Sequence, residues 1–559
     1  MTTLLCLLFP AVLSLYARHK ILTGDIHRNK RYVRWFCEYG AAVLLLNIAV
    51  IAILYIAFGY TGSWRDLLQQ HTVYRIRYLV LAVFLAIAEL IAENYFRFHA
   101  SIRIAAPKIS TGVLYLYAAA LGALNFVRVF DNTFWGDEGF TIGLAKMSVG
   151  EMVRTTAGDV HPPLYYLFVQ LLYKILGDTG VVYHLSAFIP YAVILVLACT
   201  AVKKRFGWVP AAVLVTMSSI MKEAVVHNVE ARMYALAALF VLIAYLALYD
   251  ILKEDTTSAW VLFCAASLGA AYTHYYALIS VAFFYVMLIP AMLKNKRKMR
   301  RLAVSYAVTI LAYLPWLTVL VHSFTKTKDD WWLGYIPSVK ECVDFVLDYT
   351  WLAVVFAAVL IVFVWQQKRF TNDLLWVLAG VLSACGTAAV GLALSYIVRP
   401  FFIARYLFPV TAVVYLLFGF CISKIQPHKL LTAGILVMIL LANLPAYAEI
   451  YTLDKWKDEE TSRFCNTVKP TADAVIYTND QHLCWNLVPY YYPGIADEYA
   501  EDVQDALDGR SEIWLYWRDD ALDEDTLQMI QENGYTAECV YDGYFANSTY
   551  HAYKLEKQG

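Results

Sequence analysis

Long apolar runs separated by short polar stretches fill most of the chain. Roughly 20 mainly apolar residues are needed for a helix to cross a bilayer core. Fourteen runs come near that length: 2–17, 40–60, 78–95, 112–130, 182–202, 208–222, 233–252, 258–275, 276–293, 302–321, 350–366, 374–397, 404–424 and 429–447. Leu164–Leu176 (LYYLFVQLLYKIL) is apolar but too short to cross comfortably, and is expected as a helix lying in the interface.

Beyond residue 447 the pattern changes. Ala474–Thr478 and Glu512–Trp517 are strand-like, Asp523–Asn533 is helix-like with Gly534 as its stop, and Ala537–Tyr541 with Tyr550–Leu555 suggest a last strand pair. The expected architecture is a polytopic α-helical membrane protein of about fourteen transmembrane helices with a small C-terminal α/β domain. Its expected parts are extra N-terminal spans in 1–110, a membrane body in 111–447 whose first outer loop is 131–181, and an extracytoplasmic domain in 448–559.

Composition supports this division. Of the 559 residues 60% are hydrophobic and 16% charged, against about a quarter charged in soluble domains. The zero net charge hides a split: residues 448–559 hold 23 acidic against 8 basic residues, a net of −15, which leaves +15 for the rest. Basic clusters at Arg18–Arg34, Arg97–Lys108, Lys203–Arg205, Lys294–Arg301, Lys368-Arg369 and Lys424–Lys429 all fall on one side of the fourteen-span scheme, which short basic loops identify as cytoplasmic. The N-terminal run has no basic leader and no clear cleavage site, so it is expected as a first span. Glu89 and Glu93, one turn apart near a cytoplasmic helix end, are expected in an interfacial or packing role. The ten cysteines show no metal-ligand spacing, although a pair among Cys465, Cys484 and Cys539 could be bridged outside the cytoplasm.

The opposite side collects the candidate chemistry. Asp137 and Glu138 follow an apolar run, and His161-Pro162-Pro163 precedes the next, in a segment rich in aromatics. A loop carboxylate is commonly just solvated; two beside each other can divide the work, one as a base and the other holding geometry or a cation. Glu230-Ala231-Arg232-Met233-Tyr234 opens one span, and Arg399 with Ala404-Arg405-Tyr406 opens another. Arginines at a membrane edge often snorkel to headgroups, but a guanidinium is also a forked donor for phosphate oxygens, and arginines away from the cytoplasm run against the usual bias. His274 lies in an aromatic stretch, TYR-THR-HIS in order Tyr272-Thr273-His274, at the same side.

In this order, Asp-Glu, then His-Pro-Pro-Leu-Tyr-Tyr, Glu-Ala-Arg-Met-Tyr, Thr-His-Tyr and Ala-Arg-Tyr-Leu-x-x-Pro, the chain resembles the GT-C membrane glycosyltransferases of the protein O-mannosyltransferase and aminoarabinose transferase branch, from about Val113 onward. The resemblance implies inverting transfer of a sugar from a polyprenyl-phosphate donor to an acceptor protein, lipid or glycan outside the cytoplasm. It implies Asp137 as the acceptor-activating base with Glu138 beside it, and Arg232, Arg399, Arg405 and Tyr406 as donor and phosphate ligands. His161, Glu230, Tyr234 and His274 would line the cavity. A divalent cation held by Asp137, Glu138 and His161 is allowed, as in members that bind one. Membrane lipids are implied partners, nucleic acid is not, and the absence of a retrieval signal favours a bacterial plasma membrane. The alternative is a lipid or sugar transporter or flippase, although internal repeats and broken midplane helices are not evident. The first three spans have no counterpart in the resemblance.

Overall fold

The computed structural model describes residues 111–559 apart from 160, 294, 327–333, 368, 426–428, 482, 547 and 559. The spans expected within 1–110, with Glu89 and Glu93, lie outside the described residues. So does Asn547 of the Asn547-Ser548-Thr549 glycosylation triplet.

The body comprises α1 (Thr111–Phe126), α2 (Gly136–Lys146), α3 (Val149–Gly158), α4 (Leu164–Leu176), α5 (Gly180–Leu197), α6 (Trp208–Ile220), α7 (Lys222–His227), α8 (Tyr234–Lys253), α9 (Thr257–Thr273), α10 (Tyr275–Met292), α11 (Lys296–Lys326), α12 (Val339–Leu347), α13 (Thr350–Gln366), α14 (Asn372–Ile397), α15 (Phe408–Ile425) and α16 (Lys429–Thr467). Every candidate span beyond residue 111 falls on one of these helices. Among the described residues seven are long and apolar enough to cross a membrane, or eight if the bent pair α12–α13 is one span. The apolar stretch 258–293 is broken at His274, whose extended backbone separates α9 from α10.

The helices pack closely because lipid tails supply no hydrophobic drive between them, leaving van der Waals fit and small residues to bring them together. Gly419 of α15 is such a point: a Cβ there would lie 2.8 Å from the Pro210 backbone of α6. Helix α8 is buried along nearly its whole length and packs against α5, α9, α10, α14 and α15, so it serves as the central post. At its lower end the Trp376 ring of α14 stacks on Tyr245 at 4.3 Å and on Phe206 at 4.9 Å.

Helix α16 runs unbroken past the expected boundary at 447 to Thr467 and so carries the chain from the body into the C-terminal domain. There β1 (Val475–Thr478), β2 (Ala496–Tyr499), β3 (Glu512–Arg518), β4 (Tyr535–Phe545) and β5 (Ser548–Lys557) form one sheet in the order β2-β1-β3-β5-β4. Strand β1 pairs in parallel with β2 and β3, while β5 pairs antiparallel with β3 and β4. Ile513–Tyr516 are buried on the central β3. Helix α17 (Glu524–Glu532) is capped by Asp523, whose side chain accepts from the Thr526 amide at 2.9 Å, and Gly534 follows it with φ +82°. The short strand β2, half acidic and largely exposed, carried no apolar alternation to reveal it. Cys465, Cys484 and Cys539 are all free thiols.

Candidate functional site

Three segments distant in sequence meet above the start of α8. The first is the N-terminal turn of α2, which carries Asp137 and Glu138 where free backbone N–H groups and the helix dipole favour negative charge. The second is the irregular stretch Asn228–Met233 between α7 and α8. The third is the 3₁₀ turn Ala404–Leu407 that leads into α15.

Asp137 is the centre of the meeting. Its Oδ2 lies 3.1 Å from Arg405 Nη2 and 3.7 Å from Arg232 Nη2, while Arg232 Nη1 also donates to the Asp137 carbonyl at 2.9 Å. Two guanidinium groups therefore share one carboxylate. Arg405 lies over the Trp135 ring, 5.2 Å from its centroid, so an aromatic face fixes the plane of the cation. Arg232 is buried, and the Nε atoms of both arginines have no hydrogen-bond partner among the described residues.

Glu138 has a different environment. Its Oε1 accepts from the Ala231 amide at 2.7 Å and its Oε2 from the Trp135 amide at 3.3 Å, which ties α2 to the segment bearing Arg232. Burial pushes its carboxyl up to about 8, with the Glu230 charge adding to the rise and the two amide bonds opposing it. Glu230 accepts from Trp135 Nε1 at 3.1 Å and is bonded to His227. Burial alone would raise it, but His227 and the two arginines together hold it below the usual carboxylate range. The two adjacent acids of α2 thus split: one faces cations, the other backbone amides.

Aromatic groups close the far wall. His274 lies 5.2 Å from the Tyr406 ring, 5.7 Å from Tyr234 and 5.8 Å from His161, and Tyr406 stacks on Tyr276 at 5.0 Å. The Tyr234 and Tyr276 hydroxyls are buried without partners among the described residues. His161 Nδ1 is 3.2 Å from Asp159 Oδ2, and burial lowers its basicity against the pull of that carboxylate.

Of the residues singled out by sequence, Asp137, Glu138, His161, Glu230, Arg232, Tyr234, His274, Arg405 and Tyr406 are joined by these contacts. Arg399 sits half-buried after α14 and makes no bond to Asp137. The expected cation set of Asp137, Glu138 and His161 does not form: Asp137 is taken by arginines, Glu138 by amides and His161 by Asp159. No three His, Cys, Asp or Glu side chains among the described residues are grouped to hold a metal ion.

Comparison with known proteins bears on the fold that carries these residues. The profile of the family described as dolichyl-phosphate-mannose-protein mannosyltransferase matches residues 160–322, a stretch holding His161, Arg232 and His274. The crystal structure of ArnT from Cupriavidus metallidurans in the apo state superposes with a TM-score of 0.54 at 14% identity, over 79% of this chain and 98% of that one. This protein has the GT-C fold. ArnT bound to undecaprenyl phosphate gives 0.56 at 14% identity with the same coverage. The arabinofuranosyltransferase AftD from Mycobacteria gives 0.47 at 11% identity, over 81% of this chain and 40% of that one. No curated protein sequence matches the chain.

The candidate site also contains residues that sequence did not single out. His184 of α5 is buried, stacks on Phe134 at 4.7 Å, and brings Nδ1 to 2.8 Å from the Val229 carbonyl and 4.0 Å from Glu138. His227 is bonded to Glu230, and Trp135 is the shelf beneath Arg405. The helical spacing of His227 and Glu230, three residues apart, was the one available signal.

Proposed function

We propose that this protein is an inverting glycosyltransferase that takes a sugar from a polyprenyl-phosphate donor and passes it to a protein, lipid or envelope glycan outside the cytoplasm. The observation that carries the reading is the sharing of one carboxylate, Asp137, by two arginines whose Nε atoms have no partner among the described residues. Such a site has more donor capacity than its own acid uses, and a phosphate is the forked acceptor that suits it. That ArnT binds undecaprenyl phosphate on the same fold supports this class of donor.

In the proposed reaction the acceptor hydroxyl attacks the anomeric carbon opposite the phosphate. The new carbon–oxygen bond forms as the sugar–phosphate bond breaks, and the departing electron pair goes to the phosphate oxygen. Asp137 takes the acceptor proton, a contribution of about 10²–10⁴-fold. Arg232 and Arg405 stabilise the charge gathering on the leaving phosphate. Glu138, whose two oxygens accept from the Ala231 and Trp135 amides, keeps α2 and the Arg232 segment together. His161, Glu230, Tyr234, His274 and Tyr406 form the wall against which the sugar rests. The basic loops assign the opposite end of the helices to the cytoplasm, so the site faces away from it.

The test is to supply membranes containing the protein with polyprenyl-phosphate carriers bearing isotope-labelled mannose or arabinose and to analyse the products by mass. Appearance of label on an acceptor with the stereochemistry inverted supports the reading. Movement of intact labelled carrier between leaflets with no new glycosidic bond would instead establish a flippase.

A further inference from the structure

The C-terminal domain and its approach helix grip the segment that leads to Asp137, a 3₁₀ turn at Val127–Phe130 followed by irregular backbone. Between Arg128 and Phe134, five of seven residues are bonded to this part of the chain. Arg128 pairs with Asp454 at 2.7 Å, Asp131 with Lys455, and the Asn132 amide donates to Asp458 Oδ1 at 2.7 Å. Thr133 Oγ1 lies 3.3 Å from Thr461 Oγ1. Asp454, Asp458 and Thr461 are spaced i, i+4, i+7, so one face of α16 runs alongside this segment.

The other side of this segment meets the domain itself. The Phe134 amide donates to the Tyr491 hydroxyl at 3.1 Å, and that hydroxyl donates to the Asn132 carbonyl at 3.0 Å. The Tyr490 hydroxyl donates to Asn132 Oδ1 at 2.7 Å, and its ring meets Phe134 edge-on at 5.2 Å. A Cβ on Gly139 in α2 would lie 2.8 Å from Leu487 Cδ2, so the domain also abuts the helix that carries Asp137.

From this we infer that the C-terminal domain is a working part of the site, with Tyr491 and Lys455 as positioning residues that fix the Asp137 turn relative to Arg232 and Arg405. The inference rests on the proposed function, and it explains why a water-facing domain is joined to the body by one rigid helix instead of a linker. One hydroxyl that both accepts from residue 134 and donates to residue 132 fixes the backbone three residues before the base. A shift there changes the position of the carboxylate relative to the arginines, which stand on other elements. Misplacement of a reacting group by about 1 Å costs about a hundredfold in rate.

Tyr491→Phe, which keeps the ring, and Lys455→Ala are compared with the full-length wild-type protein in detergent. Amide hydrogen exchange is read over residues 131–139 and over α8, binding is read with undecaprenyl phosphate, and sugar transfer is read with polyprenyl-phosphate mannose or arabinose. Faster exchange confined to 131–139, unchanged undecaprenyl phosphate binding and a drop in kcat of about tenfold to a hundredfold are expected. Unchanged exchange in 131–139 for both variants would overturn the inference, as would full kcat despite faster exchange. If the wild type transfers no sugar at all, the proposed function fails, and with it the inference that rests on it; the exchange arm then still reports whether the domain holds the turn.

Discussion

The two ends of α8 use arginine in opposite ways. At the lower end Arg205 has all three guanidinium nitrogens engaged, with Nε and Nη2 on Asp250 and Nη1 on the Ala201 carbonyl. Lys253 and Lys424 likewise flank Asp373 at 2.8 and 3.1 Å. At the upper end Arg232 and Arg405 compete for one carboxylate, and each keeps a buried nitrogen without a partner. A finished ion pair fastens helices; an unfinished one is ready for another anion. Burying donors without partners costs stability, and a bound anion would offset that cost at the upper end.

This contrast can be broken most strongly at Asp137. Asp137→Asn is expected to lower sugar transfer by about 10²–10⁴-fold while folding and membrane insertion stay intact, as measured by initial rates and by the yield of monodisperse purified protein. Arg405→Ala should raise the donor KM roughly 10- to 100-fold, the worth of about 1.5–3 kcal/mol of charge-assisted bonding, with a smaller change in acceptor KM. Equal changes in both would remove its donor role.

Glu138 gives a third, smaller effect. Its folded carboxyl titrates near 8 against an unfolded value of 4.5, so the folded state holds the extra proton between these values. Stability from this group is therefore fully present below about pH 4.5 and falls as pH rises toward about 8. Glu138→Gln, neutral at every pH, should flatten that part of the stability profile in thermal melts; an unaltered slope would mean that another group sets it. The smallest effect is expected at the lower end. Arg205→Ala breaks a pair whose side chains are 26% and 23% exposed, and should cost about 1 kcal/mol or less with donor KM unchanged.

Much of this was legible in the sequence. Apolar run lengths located the helices, since the need for about 20 apolar residues leaves little choice. The ordered motifs around Asp137, Arg232 and Arg405 placed three distant segments at one mouth, because each lies at an end of a span on the same side. What could not be read was lateral: which neighbour each polar group takes. Glu138 turning to the Ala231 amide and His184 stacking on Phe134 both depend on how helices rotate against one another. The expected cation set failed for that reason, since adjacent residues of a helical turn point in different directions. The grip of α16 on Arg128–Phe134 was hidden because partners over 300 residues apart leave no local pattern.

The most direct test of the unfinished ion pair is equilibrium binding of undecaprenyl phosphate to purified wild type, Asp137→Asn, and the double variant Arg232→Ala with Arg405→Ala. Asp137→Asn is expected to bind at least as tightly as wild type, because its arginines no longer have a competing carboxylate, and the double variant is expected to lose binding. Wild-type affinity in the double variant would contradict that expectation.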